Sequence, residues 1–66
     1  MNQPTKVIES AVRILTEWHR GPMSTAEMEM ALSDLHIYGI DYSPTAVTFW
    51  YENVKYRINY EELEKE

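Results

Sequence analysis

The sequence predicts a mainly α fold: one small domain of three helices, with a short C-terminal β-strand or hairpin as its alternative element. Three observations carry this. Apolar residues recur at spacings of three and four from Val7 to Trp18, S-T-A-E at 24–27 is a helix-opening pattern, and Ser43-Pro44 precedes a further apolar series. A chain of 66 residues has room for one core, and a domain of that size buries only about 60% of the surface its unfolded chain exposes. Residues 1–60 are therefore read as a single helical domain and 61–66, EELEKE, as an acidic C-terminal tail.

Pro4 can occupy the first turn of the first helix, whose apolar face is Val7, Ile8, Ala11, Val12, Ile14, Leu15 and Trp18. Gly21 and Pro22 stop it. In the second helix Ser24 and Glu27 satisfy each other's backbone donors, and Met28, Ala31, Leu32 and Leu35 form the buried stripe. Gly39 is expected to end it. The third helix is placed from about Pro44 to Asn53 or slightly beyond, running into a short strand through Tyr60; continued helical spacing puts Val47, Trp50, Val54 and Ile58 toward the core and Phe49 and Tyr56 on another side. A strand or hairpin competes here, because TAVTFWY is rich in β-branched and aromatic residues and VKYRINY alternates apolar with polar. The dipeptide Glu52-Asn53 is a poor tight-turn signal, and that favours the helix.

The chain has no cysteine, which excludes disulfides and thiolate metal sites and fits a cytoplasmic, reducing compartment. No apolar run approaches the roughly 20 residues that span a bilayer, so no membrane association is expected. His19 and His36 are far apart in sequence and in no metal-ligand spacing; two glycines cannot build a phosphate loop; no serine sits in a nucleophile elbow. No catalytic residue, metal, cofactor or small-molecule substrate is expected, and the protein is read as non-enzymatic.

GPMSTAEM followed by YSPTAV resembles the two helices of helix-turn-helix or winged-helix domains, over about residues 7–58. The resemblance implies that the third helix enters a DNA groove, with Thr45, Thr48 and Glu52 at base edges and Lys55 and Arg57 on phosphates. This is the reading of a DNA-binding transcriptional regulator of phage or bacterial type. Charge argues for a different partner. The net charge is -5, residues 23–53 hold five acids and no Lys or Arg, and the whole chain has six cations, whereas specific DNA binders commonly make about 6–10 phosphate contacts.

The preferred reading is a regulatory module that binds a protein partner, or itself as a homodimer, through an acidic and aromatic surface. Glu29 and Asp34 supply the acids, and Phe49, Tyr51, Tyr56 and Tyr60 supply rings of the kind that anchor protein interfaces.

Overall fold

The apolar periodicity from Val7 to Trp18 folds as expected, into helix α1 (Pro4–Arg20) of a computed structural model that describes residues 4–64. Ala11 and Leu15 are fully buried along it, and Val7, Ile8, Val12, Ile14 and Trp18 pack partly buried around them. Gly21, at φ 115°, ends α1 and donates its N–H to the Glu17 carbonyl at 3.1 Å. Helix α2 (Thr25–Asp34) opens on the expected capping box: the Ser24 hydroxyl accepts from the Glu27 N–H at 3.2 Å, and the Ser24 N–H donates to Glu27 Oε1 at 3.0 Å.

The end of α2 is not the expected one. His36 takes the left-handed conformation at φ 65°, its N–H bonds the Ser33 carbonyl at 2.9 Å, and the Ile37 N–H reaches the Leu32 carbonyl at 3.1 Å. That is a Schellman termination, sealed by the buried pair Leu32 and Ile37. Gly39, also left-handed, is spent one element later.

Beyond α2 the fold departs from the mainly α expectation. Residues 44–53 form no helix. The chain runs through β1 (Tyr38–Tyr42), β2 (Ala46–Tyr51) and β3 (Val54–Asn59), a single antiparallel sheet in the order β1-β2-β3, and closes with a short helix α3 (Tyr60–Leu63). The architecture is α+β, and within residues 45–60 the chain forms the β2–β3 hairpin in place of the third helix.

The correction has a physical cause in the hairpin between β2 and β3. Glu52 and Asn53 both have positive φ, 52° and 66°, which is the backbone of a two-residue turn matched to strand twist. No glycine relieves it. Instead the Tyr38 hydroxyl, arriving from β1, donates to Asn53 Oδ1 at 3.2 Å and accepts from the Asn53 N–H at 3.3 Å. A tertiary contact thus supports a turn whose own residues signal it weakly.

Changing the period from 3.6 to 2 exchanges neighbours across the sheet. Val47 and Phe49 point inward, paired with Ile58 and Tyr56, while Trp50 is 37% exposed and Val54 50% exposed. Phe49 therefore belongs to the core and Trp50 to the surface, the reverse of the helical assignment.

Ala11, Leu15, Met28, Leu32, Ile37, Val47, Phe49, Ile58 and Leu63 form one core cluster, so the helices cover one face of the sheet. Leu63, inside the stretch read as an acidic tail, is fully buried in it. The expectations for residues 1–3 and 65–66 lie outside the described residues.

Candidate functional site

The other face of the sheet is set by strand register. Tyr38 on β1 pairs with Trp50 on β2, which pairs with Lys55 on β3; one level along, Asp41 pairs with Thr48, which pairs with Arg57. Six side chains thus form two rows of three on the helix-free face. All are exposed except half-buried Thr48. A one-residue register shift between Tyr38 and Asp41 keeps both on this side.

Gly39 lies in that irregularity at φ 63°, and a Cβ built on it would stand 2.7 Å from Trp50 Cδ1. Only a glycine lets the indole lie this close over the backbone of β1. Tyr38 is tied at its far end to Asn53 by its hydroxyl. Arg57 donates through Nε to Asn59 Oδ1 at 3.3 Å, and the ion pair of His19 with Glu64 involves neither Lys55 nor Arg57.

The residues singled out from sequence are dispersed over the fold. Thr48, Lys55 and Arg57 are brought together on the helix-free face, on two strands. Thr45 lies in the turn before β2, where its carbonyl accepts from the Tyr60 N–H at 3.0 Å, and Glu52 is in the exposed hairpin turn. Glu29 and Asp34 are exposed on α2.

The four rings expected at an interface all lie elsewhere than the helix-free face. Phe49 is fully buried and stacks on Tyr56 at 5.7 Å; Tyr51 and Tyr56 are half-buried beside the core. Half-buried Tyr60 stacks on His19 with centroids 5.2 Å apart and planes 5° apart, and His19 Nε2 stands 3.2 Å from Glu64 Oε2. The exposed pair Tyr38 and Trp50 is not among the sequence candidates, since a helical period turns Trp50 inward and Tyr38 joins it only through the pairing of β1 with β2. A strand period applied to T-F-W-Y puts Thr48 and Trp50 on one side, opposite Phe49, and the alternation in VKYRINY does the same for Lys55 and Arg57.

At the helix-side end of β1, Tyr42 packs against Trp18 with centroids 5.5 Å apart and donates its hydroxyl to Glu29 Oε2 at 2.8 Å. Partial burial, then this hydrogen bond and the nearby Glu29 charge, push the phenol from its ordinary 10.0 up to about 12. A folded-state value above the unfolded one means that the contribution to stability is complete below pH 10.0 and disappears as pH rises through about 12. Ultraviolet titration of phenolate formation is expected to show one late-ionising tyrosine that Tyr42→Phe removes. Loss of an earlier-ionising tyrosine instead would contradict the Glu29 contact.

Two open grooves flank α1, one of about 400 Å³ lined by Thr5, Ile8, Glu9, Val12 and Tyr56, the other of about 680 Å³ along Arg13, Thr16, Glu17 and Arg20. Neither gathers a nucleophile with a base or a converging set of donors. Among the described residues no group of three or more His, Asp or Glu could hold a metal ion, and no helix is long and apolar enough to cross a membrane. No protein-family model, curated protein or solved structure matches the chain, so its functional reading rests on the arrangement of these side chains.

Proposed function

We propose that the protein is a small non-enzymatic regulatory module that binds a protein partner through the helix-free face of its sheet. The observation that carries this reading is the adjacent pair Tyr38 and Trp50, exposed on the sheet, with Trp50 lying over Gly39 and Tyr38 hydrogen-bonded to Asn53. Rings that are already ordered lose little entropy on binding, and Trp, Tyr and Arg are the residues that most often dominate interface energetics. Asp41, Lys55 and Arg57 give the rings a charged rim. The acids of α2 lie on the helices and belong to a different surface, where they oppose capture of polyanions. A chain without cysteine suits a cytoplasmic setting.

A second reading draws on the same face. Thr48, Lys55 and Arg57 beside two rings are the parts of a single-stranded nucleic-acid platform. Two cations in a chain of net charge -5 supply little counterion release, which ranks it second.

Affinity capture with the intact chain and with Trp50→Ala, each with and without nuclease, separates the two. The expected result is nuclease-resistant capture of a protein that Trp50→Ala weakens by about 30-fold, as a hot-spot loss of about 2 kcal/mol implies. Capture abolished by nuclease would transfer the face to nucleic acid, and capture indifferent to Trp50 would remove the face from function.

A further inference from the structure

We propose that the partner fitting this face is a second copy of the chain, docked face to face about a two-fold axis that runs along β2. The inference rests on the reading that the helix-free face binds protein. It comes from the order of the two rows. Across the sheet one row reads Tyr38, Trp50, Lys55 and the other Asp41, Thr48, Arg57, with β2 in the centre.

A two-fold axis lying between two such faces and parallel to β2 places β1 of each copy over β3 of the other and leaves each row at its own level. Asp41 then meets Arg57 of the second copy, and Arg57 meets its Asp41. Lys55 meets Tyr38 of the second copy in cation–π geometry, again twice. Trp50 meets Trp50 and Thr48 meets Thr48 on the axis. An isologous interface requires a patch to be its own complement, and these rows satisfy that at all six positions.

The other in-plane axis, perpendicular to the strands, sets β3 over β3 and brings Lys55 against Arg57 of the second copy, a like-charge contact. The charges therefore choose the axis as well as the partner. Aligned sheets cross at about 30°, which displaces residues on strands about 4.8 Å from the axis by only about 2–3 Å, within reach of Arg, Lys and Tyr side chains.

Size sets the strength. Three strands about 4.8 Å apart, with a rise of about 3.3 Å per residue, give a projected face of about 14 by 20 Å, roughly 300 Å² per copy, well below the roughly 800 Å² per partner of a standard interface. The dimer is accordingly weak, with a midpoint between about 10 μM and 1 mM. Its ion pairs are exposed at the rim, so added salt weakens it while the Trp50 contact persists.

The test is sedimentation equilibrium of the full chain from about 10 μM to about 1 mM, together with Asp41→Arg and Arg57→Asp, each shown by circular dichroism to be folded. Each variant alone opposes like charges across the axis and is expected to associate at least tenfold more weakly than the wild type; an equimolar mixture of the two restores association. A mixture no stronger than either variant alone would overturn the proposed axis. Should either variant fail to fold, amide shift changes on dilution of the wild-type chain decide: they are expected at Tyr38, Asp41, Thr48, Trp50, Lys55 and Arg57, and changes confined to the helices would refute the dimer. A wild-type chain that stays monomeric at about 1 mM refutes self-association alone. The protein-binding reading falls with it only if Trp50-dependent, nuclease-resistant capture is also missing.

Discussion

Replacing Phe49 by alanine is expected to unfold the domain at room temperature. Phe49 has no exposed surface, stacks on Tyr56 at 5.7 Å and lies at the middle of the cluster that joins both long helices to the sheet. Truncating a buried Phe to Ala costs about 3–5 kcal/mol, and a domain of this length without disulfides or metal rarely has more than about 3–5 kcal/mol to lose. Circular dichroism should show the far-ultraviolet signal already reduced before heating.

The informative control is the next residue. Trp50 is on the other face, so Trp50→Ala should leave a cooperative transition close to the wild-type temperature, given that about 1 kcal/mol shifts the midpoint of such a domain by about 4–8 °C. The two single substitutions, one residue apart, therefore have opposite predicted outcomes. A chain that unfolds on Trp50→Ala and tolerates Phe49→Ala would restore the helical period for this segment.

That contrast shows where local sequence signals suffice and where they do not. Helix α1 and the start of α2 depend on contacts within four residues: the Val7 to Trp18 stripe, the Ser24 and Glu27 box, the Gly21 stop. All of these are visible in the chain. The hairpin is supported by Tyr38 reaching Asn53 across 15 positions: Asn53 tolerates a left-handed φ by itself, but Glu52 carries no such preference. The end of α2 is similar: His36 carries the left-handed position because Leu32 and Ile37 are buried together, which leaves Gly39 for the close approach of Trp50.

The functional face inherits this limit. Thr48, Lys55 and Arg57 are identifiable as surface residues from sequence, yet their common neighbourhood comes from strand register, and Trp50 joins them only once the period is 2. Tyr38 and Asp41 share that face because β1 shifts register between them, and no pattern in YGID announces the shift.

The last turn of the chain carries the second large expected effect. EELEKE reads as solvated, and a four-residue helix such as α3 has no stability of its own, since nucleating a helix is unfavourable and short ones are marginal in water. Its order must come from tertiary contacts, and three of those the structure supplies lie at Tyr60 and Leu63. The Tyr60 N–H bonds the Thr45 carbonyl at 3.0 Å, the Tyr60 ring stacks on His19, and Leu63 is fully buried in the core cluster with Leu15 and Ile58. Of these, only Leu63 removes a large apolar side chain from water.

Leu63→Ala is expected to cost about 2–5 kcal/mol, whereas Glu61→Ala and Glu62→Ala, both at exposed positions, should stay within about 0.5 kcal/mol. Urea denaturation of the three variants checks this. A midpoint for Leu63→Ala equal to that of the two glutamate variants would return residues 61–64 to the status of a solvated tail. A selective loss would make the single leucine among these acids the contact that closes the domain, fastening α3 against α1 and β3.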